Sequence, residues 1–136
     1  MEFVQICDRV ETDAAGRPDP SGLPGVWINS NPGTSGIARL VISEADGNLS
    51  LQVYAIGPAG LIDWGLTDVA VFSASPDSQE SAGFTCVYDF GFAEARLQAM
   101  VLKGLIVLAQ IHTFKDDSHR VDYFVREYFA LTHGRY

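Results

Sequence analysis

The stretch GIARLVISEADGNLSLQVYAI, residues 36–56, decides the fold. Two apolar runs, Gly36–Glu44 and Leu49–Ile56, are rich in Val, Ile, Leu and Tyr, and Asp46-Gly47 stands between them. Asp-Gly supplies the positive φ that a tight hairpin turn requires, while β-branched and aromatic side chains suit a pleated surface. The reading is an antiparallel hairpin.

The same punctuation continues on both sides. Further apolar stretches lie at Gly25–Asn31, Trp64–Ala74, Ala82–Phe92, Ala95–Leu102, Leu105–Phe114 and Arg120–Leu131. Between them stand Pro32-Gly33, Gly57-Pro58-Ala59-Gly60, the polar run Pro76–Ser81, Gly91, Gly104 and Asp116-Asp117-Ser118. Gly turns the chain tightly, and Pro cannot continue a central ladder. Eight strands joined by short turns predict an all-β fold, an eight-stranded antiparallel up-and-down barrel, with a flattened sandwich as the alternative. Ala93–Leu102 also has a helix-forming composition, but strand neighbours on both sides decide for a strand. Residues 25–136 form the barrel domain. Residues 1–24 are read as an N-terminal segment and linker, with Phe3–Cys7 a short strand or plug and the proline-bearing Asp8–Pro24 a loop.

Composition narrows the function. The 136 residues are 47% hydrophobic and 19% charged, which fits a chain that buries a core. The formal charge is 9 − 17 = −8, and no Lys/Arg cluster reverses it locally. Nucleic acid and anionic membranes are therefore excluded as expected partners. No apolar run is long enough for a membrane span, and Glu2 stands where a secretory signal carries a basic start, so the expected location is the cytoplasm. Cys7 and Cys86 lack metal or redox spacing and read as free thiols, with a disulfide tying the N-terminal segment to the barrel as the alternative. There is no His-Glu-x-x-His, no Gly-x-Ser-x-Gly and no phosphate-binding glycine loop, and Asp116-Asp117 reads as a solvated turn. No metal, cofactor or covalent nucleophile is expected.

Several side chains could carry chemistry. If Trp27 and Arg126 both point inward, strand parity also turns Asn29, Phe124 and Tyr128 inward. His112 is the histidine inside a predicted strand and the natural proton carrier. A four-residue Asp116–His119 loop would pair Ala109 with Arg126 and face His112 outward. A three- or five-residue loop would bring His112 and Gln110 to the Arg126 face. The faces Phe84-Cys86-Tyr88-Phe90 and Trp64-Leu66-Asp68-Ala70-Phe72 hold the larger aromatics and are expected inside. Asp68 would then need Arg39 or Arg96 as its partner.

The Gly25-Val26-Trp27 opening, taken with Arg126 on the last strand, resembles the calycin arrangement of lipocalins, which implies a barrel closed by that Trp–Arg contact. A longer set of elements is similar to a family of small bacterial barrel domains: Trp27-x-Asn29-x-Asn31-Pro32-x-Thr34-x-Gly36-Ile37-x-Arg39-Leu40, Asp63-Trp64-Gly65, Asp89-Phe90-Gly91-Phe92 and Asp116-Asp117-Ser118-x-Arg120. That likeness implies a fold and almost no function. By size and architecture the chain also resembles cofactor-free barrel cyclases of polyketide pathways.

The leading expectation is a cofactor-independent enzyme that cyclises, dehydrates or isomerises a mostly apolar small molecule, such as a polyketide-derived one, in the barrel cavity. His112, Tyr88 and Asp68 would handle protons, and Arg126 and Arg39 would meet developing oxyanions. Trp64, Tyr54, Phe84, Phe124, Tyr128 and Gln110 would line the ligand. A barrel that binds or carries an apolar molecule without turnover is the alternative, and a filled-core interaction module is the third reading. Leu105–Ala109, Tyr123–Val125 and Tyr128-Phe129 are apolar on both strand faces, which predicts a homodimer through the final strands, with Phe3–Cys7 folding over that face as the rival cover.

Overall fold

A computed structural model of the chain describes residues 18–132. The expectations for Phe3–Cys7 and for the Cys7 thiol lie outside the described residues. Those described contain no helix and form nine strands: β1 (Gly25–Asn29), β2 (Ile37–Ala45), β3 (Asn48–Gly57), β4 (Gly60–Asp68), β5 (Ala70–Ser73), β6 (Ser81–Asp89), β7 (Ala93–Leu102), β8 (Leu105–Phe114) and β9 (Tyr123–Leu131). They make one sheet in the order β4-β3-β2-β1-β9-β8-β7-β6-β5, with every pairing antiparallel. The up-and-down sheet curls into a half-barrel.

The turns form for local reasons. Asp46 and Gly47 have φ of 55° and 80°, and Lys103 and Gly104 have 53° and 79°. Two successive positive φ values give the hairpin turn whose twist matches the flanking strands. Residues 93–102, helix-prone by composition, lie between β6 and β8 and pair with both. Tertiary pairing overrides a propensity of a few tenths of a kcal/mol per residue.

The expected strand Trp64–Ala74 divides in two, which is why nine strands replace eight. Gln52 pairs with Leu66 and Tyr54 with Asp63, so Val53 alone faces Trp64 and Gly65. Gly65, at φ 93°, supplies the extra residue of this bulge. One inserted residue reverses strand parity. Trp64 turns inward, and Leu66 (67% exposed) and Asp68 turn outward. The inward placement expected for Asp68 is thereby corrected; it sits opposite Ser50 on the outer face. After Val69 the chain leaves β3 and pairs with β6 as β5. The sheet's two edges are thus consecutive in the chain. The Tyr88 hydroxyl reaches across from β6, donating to the Gly65 carbonyl at 2.8 Å and lying 3.1 Å from that of Leu51.

Parity on the last strand also differs from expectation. Ala109 does pair with Arg126, and His112 with Tyr123. The inner face, however, holds Ile106, Leu108, Gln110 and His112 of β8 opposite Phe129, Glu127, Val125 and Tyr123 of β9. Arg126, Phe124 and Tyr128 lie on the outer face, the last two 65% and 42% exposed. The expected Trp27–Arg126 contact is therefore absent. Trp27 is buried among the core residues, and its Nε1–H donates to the Leu23 carbonyl at 2.9 Å.

Part of the expected linker closes that end of the barrel. The Asp19 N–H donates to the Gln79 carbonyl, the Ser81 hydroxyl donates to the Asp19 carbonyl, and Leu23 is buried. Above this floor Leu40, Leu51, Phe84, Leu97, Ile106, Leu108 and Phe129 fill the interior. The opposite end stays open.

Candidate functional site at the barrel mouth

The loops β1–β2, β3–β4, β6–β7 and β8–β9 surround a cavity of about 560 Å³ at the open end. That volume lies in the range of small-molecule sites. Its walls are aromatic. Trp64 stands edge-on to Phe90, Tyr88 and His112, with ring centroids 5.1, 5.4 and 6.1 Å away. The His112 imidazole stacks on the Tyr123 ring at 4.3 Å and 9°. Aromatic packing of this kind fixes ring planes as well as burying area.

The rim carries opposite charges. Arg120 lies over Phe114 and Phe92, its guanidinium carbon 4.4 and 5.1 Å from the ring centroids, and its Nη2 donates to Asp116 at 3.0 Å. Asp63 lines the other side, accepting from Gln52 Nε2 and from the Gly65 N–H, each at 2.8 Å.

Beneath the cavity sits a carboxylate that the sequence reading did not single out. Glu127 Oε2 accepts from Asn29 Nδ2 at 2.7 Å and from the Thr34 hydroxyl. Its Oε1 accepts from Gln110 Nε2 at 2.8 Å and from the Ile37 N–H at 3.3 Å. Burial pushes the Glu127 pKa up, but the bonds from Thr34, Gln110, Asn29 and Ile37 outweigh it and hold the carboxyl below its ordinary value. Gly36 belongs to the same arrangement. A Cβ there would lie 2.8 Å from Glu127 Oε1, and the carboxylate is pinned in place by its donors.

Gln110 continues the chain of contacts upward. Its Oε1 lies 3.1 Å from His112 Nε2. Burial lowers the His112 pKa, and the charge of Glu127 opposes this only in part, so the imidazole is neutral near neutral pH. Burial also raises the Tyr88 phenol, with a smaller contribution from Cys86, and pushes the Cys86 thiol up to about 12. Tyr88 is held un-ionised as a tie between strands.

Of the residues picked from sequence, His112, Gln110 and Trp64 meet at the cavity, Tyr88 lies directly against Trp64, and Phe84 is in the filled core. Asp68, Arg39, Arg126, Tyr54, Phe124 and Tyr128 are not brought to it. Arg39 lies over the Tyr54 ring at 4.7 Å, and β2–β3 register sets both on the outer face. Glu127, Arg120, Phe92 and Tyr123 were missed as site residues. A signal for part of the site was present: the segments 29–37, 63–65, 89–92 and 116–120 each contribute to the mouth or to the Glu127 network, and they contain Phe92 and Arg120 but neither Glu127 nor Tyr123. Among the described residues no three His, Cys, Asp or Glu side chains converge as metal ligands would.

Compared with known proteins, the chain matches no family model, no curated protein and no solved structure. The site is therefore read from its own residues.

Proposed function

We propose that the barrel seats a small, flat, mostly apolar molecule at its mouth and that His112 moves a proton on it without a cofactor. Isomerisation, dehydration or cyclisation of a polyketide-like substrate are reactions of this kind. The observation that carries the reading is a neutral, buried imidazole opening onto an aromatic-walled cavity. Stacked on Tyr123 and edge-on to Trp64, the ring has a fixed plane, and a base held in place within a largely apolar site needs little reorganisation to react. Arg120, the cation at the rim, replaces Arg126 and Arg39 as the group available to developing negative charge.

A second reading, a carrier without turnover, is favoured by one observation. Tyr88 is committed to backbone carbonyls and Asp68 faces outward, so His112 has no matched acid among the candidates first chosen.

A generic carbon acid separates the two readings. In 5-nitrobenzisoxazole a base removes the ring C–H proton as the N–O bond breaks, giving a cyanophenolate. The catalytic reading predicts ring opening faster than imidazole in solution at equal base concentration, and loss of that excess in His112→Ala. Glu127 and Tyr123 on β9, Asp63 on β4 and Arg120 in the β8–β9 loop are the ionisable groups around this base. Because burial lowers the His112 pKa, the rate should rise with pH through a midpoint below ~6.5, the ordinary histidine value, and level off above it. A wild-type rate equal to that of His112→Ala rejects catalysis and leaves the carrier.

The proposal keeps a calycin-like barrel without the Trp–Arg contact, and a cytoplasmic setting in which the buried Cys86 stays a thiol. It also keeps the homodimer. Phe124 and Tyr128, both exposed, flank Arg126 on the outer face beside Ile111 and Val107 of β8. A second copy covering this face would remove an apolar patch from water. Light scattering at micromolar concentration should give about twice the 14.8 kDa chain mass. A mass of one chain rejects the dimer.

A further inference from the structure

We infer that Gln110 and Glu127 are positioning residues that lock His112 in its Nε2–H tautomer, so that the hydrogen-bonding atom left for a ligand is the Nδ1 lone pair. The inference rests on the proposed function for its use, and on the hydrogen-bond geometry around a neutral imidazole for its truth.

Donor and acceptor counts fix the orientation of each group. Asn29 Nδ2 also donates to the Ile37 carbonyl, and Asn29 Oδ1 accepts from the Asn31 N–H, which fixes that amide with its nitrogen toward Glu127. Thr34 Oγ1 accepts from the Gly36 N–H, leaving its proton for Glu127. The Ile37 N–H can only donate. Three neighbours therefore demand an acceptor, and an ionised carboxylate is acceptor-only. The group that Gln110 turns to Glu127 must then be its NH₂. An amide has one oxygen, so the Gln110 carbonyl faces His112, and Nε2 must carry a proton to meet it.

A neutral imidazole has one N–H. Its Nδ1 is therefore the acceptor, and no described residue donates to it. The order along the sheet makes this a relay of inner-face neighbours: His112 opposite Tyr123 at the mouth, Gln110 opposite Val125, Glu127 opposite Leu108. The contacts of Glu127 with Asn29, Thr34 and Ile37 tether the β1–β2 loop, which explains the carboxylate structurally. Its contact with Gln110 does nothing for that loop. It orients the amide.

The chemical consequence concerns the ligand class. A site whose central polar atom is an acceptor suits a molecule presenting an acidic proton at the edge of a flat skeleton: a phenol, an enol or an activated C–H. It does not suit one whose polar edge there is only a carbonyl, which would need the opposite tautomer.

Imidazole ¹⁵N spectroscopy of the ligand-free protein tests this, with His112 assigned through His112→Gln. The wild type should show the Nε2–H pattern for His112. In Gln110→Leu, which removes the amide without adding charge, the ratio of Nε2–H to Nδ1–H should fall about fivefold or more, the effect of losing one hydrogen bond. In Glu127→Gln the ratio should fall at least as far, because Gln110 can now turn its NH₂ toward Nε2. Backbone amide spectra establish that each variant is folded. If Glu127→Gln unfolds, the wild type and Gln110→Leu decide the matter. An Nδ1–H wild type, or variants that keep the wild-type ratio, overturn the inference. No ligand is involved, so a failed nitrobenzisoxazole assay leaves the tautomer assignment standing, and an inverted tautomer leaves the base in place with its other nitrogen free.

Discussion

Replacing Trp27 by alanine should cost the fold roughly 3–5 kcal/mol, the usual penalty for deleting a large buried aromatic. Trp27 is 3% exposed, and its ring packs at the closed end of the barrel. The substitution removes that packing and also strands the Leu23 carbonyl that accepts from the indole N–H. Collapse into the space is hindered because β1 pairs with β2 on one side and β9 on the other, at the centre of the sheet. Against a typical total stability of about 5–15 kcal/mol, the loss brings the variant near the folding threshold. Denaturant titration reads it directly, and a change under about 1 kcal/mol would mean that Trp27 does not hold the floor. Trp27→Phe keeps most of the packing and loses the bond to Leu23, so about 1 kcal/mol is expected.

The second large effect is Glu127→Ala, at roughly 2–4 kcal/mol near neutral pH. The variant leaves Asn29 Nδ2, Gln110 Nε2, the Thr34 hydroxyl and the Ile37 N–H without their common acceptor. Each unmet buried donor costs about 1–3 kcal/mol, but Glu127 is only partly buried, so entering water satisfies some of them. The effect should also depend on pH. The folded-state pKa of Glu127 lies below its ordinary 4.5, so its ionised form adds stability fully above that value, and the contribution is lost as pH falls through the lower folded-state value. The difference between wild type and variant should therefore be large at pH 7 and shrink in acid. A difference that is small at pH 7, or that grows in acid, contradicts the role assigned to the carboxylate.

Much of the fold is legible in the chain because β structure announces itself through composition and turns. Asp46-Gly47 and Gly104 mark hairpins that the backbone angles bear out. What sequence could not supply was parity. Along Tyr123–Phe129 both faces offer aromatics and a charge, Arg126 on one and Glu127 on the other. Alternation alone cannot choose between them, and a likeness to a Trp–Arg pair chose the face that the sheet turns outward. Asp68 fails for a different reason, while Trp64 turns inward as expected. They share parity in an unbroken strand, and a single residue bulged at Gly65 separates them. His112 and Gln110 were found because their residue types stand out in an apolar strand. Glu127 was not, since an acidic residue in an acidic chain carries no local mark until its donors from β1, β2 and β8 are brought around it.

The account rests on the mouth of the barrel being a site for a flat molecule that meets His112. Titration with 2-naphthol, followed through the imidazole signals of His112 and the indole N–H of Trp64, tests that claim most directly. Saturating shifts at both residues are predicted, together with weaker binding of 2-methoxynaphthalene, which lacks the O–H for Nδ1, and loss of the distinction in His112→Ala. Shifts that fail to saturate, or that gather instead at Phe124 and Tyr128 on the outer face, would contradict it.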